Sequence, residues 1–164
     1  MSQPVILHVE DDPDDALFVA YAFSNASPEC VIRRVKDGRE AIDYLNRAAE
    51  LAKTGSQSMP ELMLLDLKLP DINGFEVLQW IRSQAQFKTL QVIVLSGSSI
   101  ERDKKQAREL GANAYFVKTP KYADLVEFVA GFLKNPKPEL PLTGEGKIPE
   151  PPVTDSTAEP PAAS

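Results

Sequence analysis

Leu62-Met63-Leu64-Leu65-Asp66-Leu67-Lys68-Leu69-Pro70 opens with an unbroken apolar run that ends on a single carboxylate, Asp66. Leu62 to Leu67 reads as a short strand covered on both faces, because no polar residue interrupts it before Asp66. Pro70-Asp71-Ile72-Asn73-Gly74 behind it is a turn. Upstream, Val5 to Val9 has the same buried-strand character, bounded by Pro4 and the acids Glu10-Asp11-Asp12. Asp12-Pro13-Asp14-Asp15 then opens a helix, with a capping Asp, Pro at the first helical position and acids in the first turn. Leu17, Phe18, Tyr21 and Ala22 sit at helical spacing and are expected to face inward. Cys30 to Val35 is the second strand, and Gly38 precedes a second helix carrying Ala41, Ile42, Leu45, Ala48 and Ala49. Thr54 to Ser58 is loop.

Downstream, Phe75, Val77, Leu78 and Ile81 define a third helix. Val92 to Ser96 is a fourth strand, and Gly97-Ser98-Ser99 leads to a helix starting at Ile100 or Glu101, closed by Gly111-Ala112-Asn113. The exposed face of that helix is expected to carry Glu101, Arg102, Asp103, Lys104 and Lys105. Ala114 to Lys118 is a fifth strand, and Tyr122 to Leu133 a last helix with Leu125, Val126, Val129 and Phe132 or Leu133 inward. Strands alternating with helices in this way predict an α/β fold, a doubly wound five-stranded parallel sheet with helices on both faces.

The chain has 164 residues, enough for one domain and a tail, with a net charge of −6 that argues against nucleic acid as a partner. Residues 1–134 form the domain, and 135–164 are Pro-rich and without aromatics, so they are expected to be a disordered or partly extended tail. No stretch approaches about 20 consecutive apolar residues and the N-terminus lacks a basic leader, so a soluble, cytoplasmic, membrane-free protein is expected. Cys30 is the one cysteine, which excludes an internal disulfide and reads as a small buried residue. His8 is the one histidine and reads as a satisfied, partly buried core residue, which with the single thiol excludes a zinc site.

Ligands of open parallel sheets bind beyond the carboxyl ends of the strands. Glu10 and Asp11, Asp66, Ser96 and Lys118 all stand at such ends. Glu10, Asp11 and Asp66 are too many like charges to sit together without a cation, and hard oxygen ligands suit Mg²⁺. Asp66 is then a candidate nucleophile for phosphoryl transfer, Lys118 a counter-charge and Ser96 a donor to the phosphoryl oxygens. Singly, each residue is as readily a turn, cap or surface residue; their shared edge favours the chemical reading. Asp14 and Asp15 read as helix-dipole partners.

Val9-Glu10-Asp11-Asp12, Leu64-Leu65-Asp66-Leu67-Lys68-Leu69-Pro70 with Asn73-Gly74, Val94-Leu95-Ser96-Gly97 and Tyr115-Phe116-Val117-Lys118 resemble the bacterial response-regulator receiver domain, over residues 4–134. The resemblance implies sheet order 2-1-3-4-5, a flavodoxin-like receiver fold. It implies Asp66 as phosphoacceptor and Mg²⁺ held by Glu10, Asp11, Asp66 and the backbone carbonyl of Lys68. Ser96 becomes the switch hydroxyl, Tyr115 the aromatic that moves with it, and Lys118 the family's lysine. Gly97 is similar to the small regulators that partner bacterial and cyanobacterial phytochromes, which implies a sensor histidine kinase as donor. In this reading the chain is a stand-alone phosphorylation switch with self-catalysed transfer and loss of phosphate. Output passes to an unidentified downstream protein, or into a homodimer, through the face of helix four, strand five and helix five. Tyr115, Phe116 and Phe132 lie on or near that face.

Two departures stand out. Thr119 intervenes between Lys118 and Pro120, so the family's cis bond is lost or moved to Thr119–Pro120. Arg47 to Pro60 is longer than the family norm. Three competing classes share the sheet. A flavodoxin-like FMN site needs a phosphate-cradling loop where Glu10-Asp11-Asp12 stand. A small-molecule aspartyl-phosphate hydrolase needs an acid where Lys68 stands. A degenerate scaffold needs no complete site at all.

Overall fold

The computed structural model describes residues 3–118 and 123–134. The elements run β1 (Val5–Val9), α1 (Pro13–Ala26), β2 (Val31–Val35), α2 (Gly38–Lys53), β3 (Leu62–Leu65) and α3 (Gly74–Ser83). A short 3-10 turn (Ala85–Phe87), β4 (Gln91–Ser96), α4 (Glu101–Glu109), β5 (Ala114–Val117) and α5 (Ala123–Lys134) follow. All strand pairs are parallel, in the order β2-β1-β3-β4-β5. β3 and β4 are buried along their whole length, because helices cover both faces of the sheet.

Strand residues alternate between two apolar layers. Leu7, Val9, Met63, Leu65, Val92 and Val94 pack with residues of α2, α3 and α4. Ile6, Leu62, Leu64, Ile93 and Leu95 pack with Val19 and Phe23 of α1 and Leu125, Val126 and Val129 of α5. The chain reverses its direction of winding between β1 and β3, and a crevice opens at that point beyond the strand ends. Backbone bonds tighten its walls: Asp66 N–H donates to Val9 O at 3.1 Å and Glu10 N–H to Val35 O at 3.0 Å.

Several expectations are corrected. The buried residues of α1 are Ala16, Val19 and Phe23, and Ala22 packs against the same layer as expected; Leu17, Phe18 and Tyr21 are 65%, 57% and 67% exposed. This helix is apolar on more than one face, so its sequence fits two rotations, and packing against the sheet and α5 selects one. Lys104 of α4 is 3% exposed, with its ammonium 3.5 Å from Glu101, and is not part of a solvated face. Its long apolar stem accounts for that burial. Tyr115 and Phe116 are both buried, so they add no exposed apolar surface to the β5 edge. Cys30 precedes β2 instead of starting it and is half-buried, with burial pushing its thiol up to about 11. The extra length from Arg47 is first used by α2, which continues to Lys53. The Thr119–Pro120 bond, the side chains of Phe132 and Leu133, and the tail 135–164 lie outside what is described.

Candidate functional site

Four separate segments build the crevice. After β1, Glu10 and Asp11 turn the chain into α1, whose cap Asp12 accepts from the N–H groups of Asp14 and Asp15. Glu10 Oε2 accepts from Asp12 N–H at 3.2 Å, which fixes that carboxylate against the turn. From β2, Arg34 clamps the same turn, donating from Nε to Glu10 O at 3.0 Å and from Nη2 to Asp11 O at 3.2 Å. After β3, Asp66 is 4% exposed, and its Oδ1 accepts from Lys68 N–H at 3.3 Å. Gly74 N–H donates to Leu67 O at 2.8 Å, and a Cβ at Gly74 would come within 2.6 Å of Leu67 Cα. Only glycine lets α3 start this close behind the Asp66 loop.

Carboxylate oxygens of Glu10, Asp11 and Asp66 lie within 4.8 Å of one another. Lys118 reaches them from the end of β5: Nζ is 2.8 Å from Glu10 Oε1, 2.9 Å from Asp15 Oδ2 and 3.3 Å from Asp66 Oδ2. Burial alone would lower the lysine, but the bonds to Glu10 and Asp15 and the charge of Asp66 prevail and hold it above its ordinary value. Burial drives Asp66 up against the pull of Lys118. Burial, with the charge of Asp66, drives Glu10 up to about 7. One ammonium does not balance these acids. The donor set, hard and negative with Asp11 exposed to solvent, fits a divalent cation.

Ser96 is fully buried at the end of β4 and its Oγ accepts from Ser98 N–H at 3.1 Å. Tyr115 is buried, its hydroxyl donating to Ser98 O at 2.8 Å, and burial raises its phenol. Ser98 Oγ donates in turn to Asp103 Oδ2 at 2.6 Å on α4. Ser96 and Tyr115 therefore belong to a bonded loop beside the acids, which runs on to α4.

Glu10, Asp11, Asp66 and Lys118 converge as the sequence reading expects. Two participants were not anticipated. Asp15 is more than a dipole partner, since it binds Lys118 across the crevice. Its position one helical turn inside α1, at the strand ends, was the available signal. Arg34 had none, because only strand pairing sets it beside Glu10. His8 is also corrected: it is 1% exposed, and neither ring nitrogen has a hydrogen-bond partner among the described residues.

A parallel sheet of this order with acids and a lysine gathered at its winding reversal has the organisation of a signalling receiver. Residues 6–130 match the response regulator receiver domain family, and the chain belongs to it. The probable methanogenesis regulatory protein FilR2 of Methanothrix harundinacea is 32% identical over 82% of this chain and 88% of its own length. The response regulator Rcp1 of Synechocystis is 33% identical over 77% and 84%, and its Mn²⁺-bound structure aligns with a TM-score of 0.65. The phosphorylated cyanobacterial phytochrome response regulator RcpA aligns with a TM-score of 0.67 at 34% identity, over 81% of this chain and 93% of that one. No helix among the described residues is long and apolar enough to cross a membrane.

Proposed function

We propose that Asp66 accepts a phosphoryl group from the phosphohistidine of a sensor kinase and that this covalent change is the signal. The observation that carries the reading is Lys118 Nζ, 3.3 Å from Asp66 Oδ2 within a cluster of three carboxylates. An Asp66 oxygen attacks phosphorus, the kinase's N–P bond breaks, and the departing imidazole takes up a proton. Lys118 donates to the phosphoryl oxygens, and Ser96 turns its hydroxyl toward them. Glu10, Asp11, Asp66 and the carbonyl of Lys68 would hold Mg²⁺, which when bound neutralises charge on the transferring oxygens. Transfer and loss of the phosphoryl group are catalysed by the chain itself, with no other substrate turned over, in the cytoplasm.

Similarity to RcpA supports a phytochrome as the kinase. The bonded path from Ser96 through Ser98 to Asp103, joined by Tyr115, supports output through the α4-β5-α5 face. A downstream protein or a second copy of the chain is the partner there. The receiver domain is residues 1–134, followed by the Pro-rich tail 135–164. Incubation with acetyl phosphate and Mg²⁺ should add one phosphoryl mass to the intact chain. Neither Asp66→Asn nor wild type in EDTA should be labelled. Labelling of Asp66→Asn at the wild-type rate would sink the reading.

A further inference from the structure

His8 lies in β1 between Arg34 of β2 and Leu64 of β3, on the same strand face as Ile6 and Glu10. That face packs against the apolar layer under α1 and α5. Nδ1 and Nε2 are both buried with no hydrogen-bond partner among the described residues. An imidazole in such a place costs stability that a leucine would not, a cost that a second arrangement in which it is paired would remove.

Glu10 Oε1 lies 3.9 Å from Nε2, too far for a hydrogen bond. In this arrangement that oxygen is also buried, and Lys118 holds it at 2.8 Å. The Lys118 ammonium donates to Asp15 and Asp66, and Glu10 Oε1 lies against it as an ion pair. Glu10 is at the floor of the crevice, 1% exposed, and Asp15 at its rim, 31% exposed. A phosphoryl group on Asp66 must stand on the solvent side, so a lysine following it moves toward the rim and away from Glu10. Lys118 then no longer faces Glu10 Oε1, and one small shift brings Nε2–H onto that oxygen.

We propose that His8 is a positioning residue that hydrogen-bonds Glu10 Oε1 when Lys118 turns to the phosphoryl group, keeping Glu10 in place. This rests on the phosphoacceptor reading of Asp66. The imidazole stays neutral throughout. Burial, with the positive charges of Lys118 and Arg34, holds it down at about 3.

His8 is the only histidine in the chain, so its ring signals are unambiguous in a proton–nitrogen NMR spectrum of the full ¹⁵N-labelled protein. Spectra are taken in EDTA, with Mg²⁺, and with Mg²⁺ plus beryllium fluoride as the phosphoryl mimic. The Nε2 proton should move downfield and exchange more slowly with water only in the third sample. His8→Leu should melt no lower than wild type yet take label from acetyl phosphate about tenfold more slowly, and His8→Gln, which keeps a donor, should recover to within about twofold. A purely structural histidine would show the reverse, lost stability with unchanged labelling. Ring signals unmoved by fluoride in a wild-type protein that labels normally would overturn the proposal and leave Asp66 as acceptor. Absence of label in wild type would overturn both.

Discussion

At Glu10 the cost of a functional site is readable in a single carboxyl group. Burial and the neighbouring Asp66 lift it from an ordinary 4.5 to about 7. The folded chain then binds this proton more tightly than the unfolded chain does. Its contribution to stability is complete below about pH 4.5 and is lost as pH rises through about 7. Glu10→Gln, which stays neutral, should therefore gain on wild type in melting temperature as pH rises from about 5 to about 8 in EDTA, by several degrees at the upper end. A constant difference across that range would show that Glu10 is not strained by its surroundings. Asp66 and Lys118 were legible in the sequence because each directly follows an apolar strand, where a polar residue has few structural uses. Arg34 and the unpaired state of His8 were not legible, because both depend on which atoms neighbouring elements bring within reach.

Elements show where periodicity suffices and where it fails. β3 is buried on both sides, so its apolar run has one reading. α1 has apolar residues on more than one face, and spacing cannot choose between Leu17-Phe18-Tyr21 and Ala16-Val19-Phe23. Phe18→Ser should leave stability within about 0.5 kcal/mol of wild type, whereas Phe23→Ala should cost about 3–5 kcal/mol in urea unfolding. The opposite ranking would reverse the assigned rotation of the helix. A second element-level device is Arg82 of α3, which serves as an internal staple without a carboxylate partner among the described residues. It donates to the carbonyls of Phe87, Lys88, Leu90 and Gly111 and to Asn113 Oδ1, tying α3 to the segments before β4 and β5. Gly111, at φ 104°, passes so close that an added Cβ would meet Arg82 Cγ and Nε at 2.9 Å. Arg82→Met, left with several buried acceptors unpaired, should lose about 2–4 kcal/mol in the same assay. A loss under about 0.5 kcal/mol would mean that water replaces the guanidinium without penalty.

For the molecule as a whole, the two-sided core and the site oppose one another. The core brings the ends of β1, β3 and β5 together, and in doing so crowds Glu10, Asp11 and Asp66. A divalent cation relieves that crowding only in the folded state, so it must raise stability by mass action. Mg²⁺ at about 100 times its dissociation constant should add about 2.7 kcal/mol, and Asp66→Asn should abolish most of the gain. Thermal melts across a Mg²⁺ titration, with Na⁺ at matched ionic strength as control, measure both. An equal response to the two cations would reduce the effect to general screening.

The sequence by itself determined the order of strands and helices, the two-faced parallel sheet and five polar residues at its carboxyl edge. Those follow from local chemistry: apolar run length, capping residues, turn residues, and the rarity of charge at the end of a buried strand. Tertiary structure alone decided the rotation of α1, the burial of Lys104, the clamp of Arg34 on Glu10 and the bridge from Asp15 to Lys118. It also left His8 unpaired beside Glu10. Each of these depends on distances between segments far apart in the chain, which strand register and helix packing set and local pattern does not encode.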